Sequence, residues 1–69
     1  MKVFSSDKLS DIVITARRKQ KLSQAELSGL TGLNRATISR IEQKDYIPSV
    51  LQLQELSRVL NFDMTEVFV

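Results

Sequence analysis

Residues 22–42 read Leu22-Ser23-Gln24-Ala25-Glu26-Leu27-Ser28-Gly29-Leu30-Thr31-Gly32-Leu33-Asn34-Arg35-Ala36-Thr37-Ile38-Ser39-Arg40-Ile41-Glu42, and this stretch decides the fold. Ser23 through Glu26 has the form of a capping box, in which the serine oxygen and the carboxylate three residues on satisfy two free amides at a helix start. Leu22 before the cap and Leu27 inside the helix are spaced as a hydrophobic staple. Gly32 supplies a left-handed stop, which ends this short helix near Leu30-Thr31. Asn34 is a second cap, and a further helix follows from Arg35 to about Gln43. Only Ile38 and Ile41 in that helix are large and apolar. Most of its surface therefore faces outward, carrying Arg35, Ala36, Thr37, Ser39 and Arg40.

Two short helices joined through a turn of about three or four residues containing glycine form a helix-turn-helix arrangement. Outward from it the periodicity predicts two more helices and a short last segment. Ser5 or Ser6 begins the first, which carries Leu9, Ile12, Val13 and Ala16 at helical spacing and runs to about residue 20. Its last turns hold Arg17, Arg18, Lys19 and Lys21, where cations favour the negative end of the helix dipole. Lys44 to Pro48 is a loop, because the residue before proline avoids the helical region. Ser49 caps a fourth helix with Leu53, Leu56, Val59 and Leu60 inward, and Asn61 stops it. Asp63 caps a short last segment, Met64 to Phe68, with Val67 and Phe68 apolar. The expected fold is all-α: one compact domain spanning residues 1–69, with the motif at about 23–42 and a dimerisation region at about 50–69.

Composition removes many chemistries. The 69 residues include no Cys, His or Trp, with one Pro and two Gly. Disulfides, cysteine-based metal centres and the commonest general base are excluded. The scattered carboxylates Asp7, Asp11, Asp45, Asp63 and Glu66 suggest no acid–base or metal site, so neither enzyme activity, cofactor nor metal is expected. A chain of this size buries only about 60% of its unfolded surface, which leaves one economical core and no room for a sensor or small-molecule domain. Its apolar runs fall far short of the roughly 20 residues of a membrane span, and no secretory signal is visible, so a cytoplasmic location is expected.

Charge is informative by position. The sum is only +2, but residues 1–44 hold nine basic groups against four acidic, and residues 45–69 hold one against four. The basic part includes the motif. One face is thus expected to meet a polyanion.

The motif, with Pro48-Ser49 after it and Leu53, Leu56, Leu60, Val67 and Phe68 behind it, resembles the phage repressor and Cro-type (Xre-like) helix-turn-helix family over residues 9–68. That resemblance implies a compact five-helix repressor-type domain, a DNA-binding repressor or autoregulator that is usually a two-fold dimer on a palindromic operator of double-stranded DNA. By position it implies that Gln24, Arg35, Ala36, Thr37, Ser39 and Arg40 read bases. Arginine suits bidentate contact with guanine, while the Ala and Thr methyls suit thymine. Phosphate contacts fall to Ser23, Asn34, Lys44 and Tyr46, Tyr46 being equally suited to packing over the core. Arg17 and Glu42 resemble a family ion pair that pins the first helix to the end of the recognition helix. Ser28 and Thr31 depart from the usual alanines at the helix crossing, so each hydroxyl needs a backbone carbonyl. Gln20 and Lys21 replace a common glycine-containing helix end, so that Lys21 either sits near DNA or frays the helix.

Ile47, Val50, Leu51, Phe62, Met64, Val67, Phe68 and Val69 exceed the needs of one small core, and Val50, Phe62, Met64, Val67 and Phe68 suggest the dimer interface, the alternative being that Phe62 and Phe68 close the core of the monomer. The alternative reading is an antitoxin, which binds DNA and also a toxin partner. It rests on the Ser5-to-Leu9 run, and on Lys2-Val3-Phe4 and Val67-Phe68-Val69 as strands for a dimer or partner surface. A protein-interaction module that does not bind DNA is the third.

Overall fold

The computed structural model describes all residues from Met1 to Val69. Four α-helices follow one another: α1 Ser6–Lys19, α2 Gln24–Thr31, α3 Arg35–Glu42 and α4 Val50–Leu60. The expected fifth helix is a 3-10 turn, Met64–Val67, so the count is four α-helices and one turn. Its span is too short for more: Asp63 caps it by accepting from the Thr65 amide, and Phe68 has already returned to extended backbone.

Serine and asparagine begin the helices. Ser5 accepts from the Lys8 amide, Asn34 from that of Ala36, and Ser23 and Ser49 each complete a reciprocal capping box, with Glu26 and Gln52. Left-handed residues end them. Gly32 (φ 76°) and Asn61 (φ 60°) do so as the sequence suggests, while Lys21 (φ 58°) and Lys44 (φ 64°) take the same conformation with a full side chain. After α1 the Leu22 amide bonds to the Arg17 carbonyl and that of Lys21 to Arg18; after α3, Asp45 bonds to Arg40 and Lys44 to Ile41. Both ends are Schellman motifs. Lys21 therefore closes the helix rather than fraying it.

The core gathers Leu9 and Val13 of α1, Leu27 of α2, Leu33 of the turn, Ile38 and Ile41 of α3, and Leu53, Leu56 and Leu60 of α4. Val67 completes it at 0% exposure. This corrects its assignment to a dimer surface: a side chain with no accessible area cannot meet a partner. Phe62 and Met64 are half-buried and pack against the same core.

The termini close the molecule. Val3 and Val69 exchange two backbone hydrogen bonds of 2.8 Å, the Ser5 amide donates to the Val67 carbonyl, and Phe4 and Phe68 meet edge to face at 6.1 Å. The β-branched ends thus pair with each other within the chain, not with a partner as the sequence reading suggested. No helix is long and apolar enough to cross a membrane.

Candidate nucleic-acid interface

The crossing of α2 and α3 sets the aim of α3. Leu27, Leu33, Ile38 and Ile41 are buried at it and give it a dry centre. The turn between them leaves its polar atoms satisfied. Ser28 donates its hydroxyl to the Leu33 carbonyl; Thr31 donates to the Leu27 carbonyl at 2.8 Å and accepts from the Leu33 amide at 3.2 Å. The two departures from alanine therefore become the hydrogen bonds that shape the turn. Gly32, at a positive φ that side chains rarely adopt, reverses the chain between them.

With Ile38 and Ile41 inward, α3 presents the opposite face. Arg35, Ala36 and Arg40 are exposed, and Thr37 and Ser39 are half-buried. Gln43, just past the helix, joins this face and donates to the Ser39 hydroxyl at 3.0 Å. It escaped the sequence reading, although its spacing of four residues from Ser39 was the available signal. Arg35 makes no ion pair, so its guanidinium stands free at the first turn. Ser23, Asn34 and Lys44 are also exposed, at the start of α2, the start of α3 and the end of α3 respectively.

Behind this face lies a polar brace. Arg17 Nε meets Glu42 Oε2 at 2.7 Å and its Nη2 meets Oε1 at 3.1 Å, while Nη1 donates to the Leu22 carbonyl at 2.9 Å. The hydrogen bond to Glu42 outweighs burial and holds the Arg17 pKa above the usual arginine value. The side chains are only 14% and 9% exposed. Gln24 donates to the same Glu42 Oε1 at 3.0 Å. The first residue of α2, the end of α3 and the body of α1 are thus tied through one carboxylate. Ser10 adds a hydrogen bond of 2.7 Å to the Glu42 carbonyl.

Two residues are less free than their types suggest. Tyr46 is half-buried, packs against the core and donates its hydroxyl to Gln52 at 2.9 Å. Arg40 bends back onto the following loop, pairing with Asp45 and lying over the Tyr46 ring. One open groove, of about 760 Å³, runs between α1 and the end of α4 past Ile12, Thr15, Lys19, Phe62 and Glu66. No residue of α2 or α3 lines it, so the outward face of α3 is separate from it.

A helix packed across a second, with an exposed polar and basic face and buried supports, is the architecture of a major-groove reading head. A family profile described as helix-turn-helix matches residues 13–67. The chain belongs to this helix-turn-helix family of DNA-binding regulators. Among its relatives is the ImmF control region 10 kDa protein of Bacillus phage phi105, 31% identical over 62 residues, which are 90% of this chain and 69% of that protein. Among solved structures it is similar to the restriction-modification controller protein C.AhdI from Aeromonas hydrophila. That likeness has a TM-score of 0.80 at 25% identity and covers 91% of this chain and 96% of the other. Both carry the names of control proteins rather than enzymes.

Proposed function

We propose that the chain is a sequence-specific transcriptional repressor or autoregulator that reads the DNA major groove with α3. The free Arg35 at the first turn of an exposed helix face carries this reading. Arginine there suits the paired acceptors of guanine, and Ala36 and Thr37 beside it suit a thymine methyl. Ser39 and Gln43 extend the base-facing row, and Gln24 supports it from α2. Ser23, Asn34 and Lys44 suit phosphate contacts, which position the protein without reading sequence. Tyr46 acts from behind, as packing. Two similar proteins, one named for the ImmF control region of a Bacillus phage and one as a restriction-modification controller, support a regulatory role.

We further infer a two-fold dimer. Ile47 in the loop before α4, and Val50 and Leu51 in its first turn, are 71%, 66% and 74% exposed, large apolar side chains that association would cover. The surface centres on Val50 with these two neighbours, and Val67 has no part in it. A two-fold pair places its recognition helices about 34 Å apart and implies a palindromic site.

Selection of bound duplexes from random DNA tests the whole reading, and a half-site repeat is the expected outcome. On the selected site Arg35→Ala is expected to cost about 1–3 kcal/mol and to relax preference at one position. Equal affinity for all sequences in wild type would refute it.

A further inference from the structure

Both cations at the carboxyl end of α3 are already paired with carboxylates. Arg40 Nε lies 3.6 Å from Asp45 Oδ2, its Nη2 donates to the Asp45 carbonyl at 3.2 Å, and its guanidinium carbon sits 5.7 Å above the Tyr46 ring centre. Tyr46 is in turn fixed by its bond to Gln52 of the α4 capping box. Lys44 Nζ lies 3.3 Å from Asp7 in the first turn of α1. Side-chain exposure is 55% for Arg40 and 71% for Asp45, so water screens the pair and it adds little to fold stability. Its geometry is nonetheless specific, since ring, carbonyl and carboxylate converge on one guanidinium.

We propose that Asp45 holds Arg40 in reserve and thereby suppresses sequence-independent DNA binding. The inference rests on the DNA-reading function proposed above. In a random encounter with DNA, Arg40 exchanges one anion for another, so a phosphate gains little from it. Asp45 itself also repels the phosphate chain. On a matched site the contacts of Arg35 and its neighbours bring the end of α3 down onto the duplex, and Arg40 leaves Asp45 for the DNA. The carboxylate therefore widens the gap between matched and unmatched sequences. Asp7 acts on Lys44 in the same sense.

The test compares affinities for a random-sequence duplex and for a duplex selected by wild type, between about 50 and 200 mM salt. Asp45→Asn removes the charge and keeps the carbonyl bond. It is expected to tighten binding to random duplex about three- to tenfold at the low-salt end, and less as salt screens the pair. Affinity for the selected site should rise by a smaller factor. Glu66→Gln, the same charge change in the groove away from α3, should have less than about twofold effect. In an Arg40→Ala background the gain from Asp45→Asn should shrink to less than about twofold, the part left to direct repulsion of the phosphates. An unchanged random-duplex affinity in Asp45→Asn overturns the proposal, as does an equal gain in Glu66→Gln or a gain undiminished without Arg40. If wild type itself fails to bind either duplex, the DNA-reading function falls, and this inference with it.

Discussion

Glu42 does more than its place at a helix end suggests. One carboxylate takes two bonds from Arg17 and one from Gln24, in a setting where little water reaches either partner. Glu42→Gln leaves the Arg17 charge nearly buried without a counter-charge. The expected loss is about 3 kcal/mol, the lower end for breaking one side of a buried pair, read from urea unfolding. A loss below about 1 kcal/mol would mean that water screens the brace after all. Sequence placed Arg17 and Glu42 together through family resemblance alone, because no local rule links residues 25 apart. It did not show Gln24 as the third member, since a glutamine on an exposed first turn carries no mark of its distant partner. The same limit hid Asp45 and Asp7 as partners of Arg40 and Lys44.

Helix starts were readable because Ser, Asn and Asp cap by short-range hydrogen bonds that leave a local signature. Helix ends were readable only where Gly or Asn stood, and the two lysines at positive φ were not. Lys21 makes no ion pair and no side-chain hydrogen bond, so its strained backbone has no visible compensation beyond closing α1. Lys21→Gly is expected to stabilise the fold by about 1 kcal/mol, measured as a higher urea midpoint, whereas Lys21→Ala, which keeps a Cβ, should gain nothing. The fifth helix was misjudged for a related reason. A cap and an apolar pair at residues 63–68 fit a 3-10 turn as well as an α-helix, and propensity does not separate them over four residues. Exposure failed similarly at Val67: its chemistry suits a core and an interface equally, and only the packing of α1 and α4 around it decides.

Acid response is set by the molecule as a whole. With no histidine, no side chain has an ordinary titration between about pH 5 and 8. Glu26 and Asp63 are held below their usual values of 4.5 and 3.8 by backbone amides, and Glu55 below 4.5 by Arg58. A depressed folded pKa gives stability that is present above the unfolded value and lost as pH falls through the folded one. The melting temperature should therefore hold nearly level from about pH 8 to 5 and fall below about pH 4.5, followed by circular dichroism. Glu26→Gln keeps a cap but should remove its share of the fall. A melting temperature that stays level well below pH 4 would contradict this account.

The Val3–Val69 pairing also makes the chain nearly a closed loop. Residues at the two extremes are already joined by mutual hydrogen bonds of 2.8 Å, so a short covalent bridge between them would ask for little rearrangement. The order of the helices along the chain is then separable from their order in space. A ring of this sequence, reopened in the exposed stretch between α3 and α4, would present the same outward face of α3 from a different beginning.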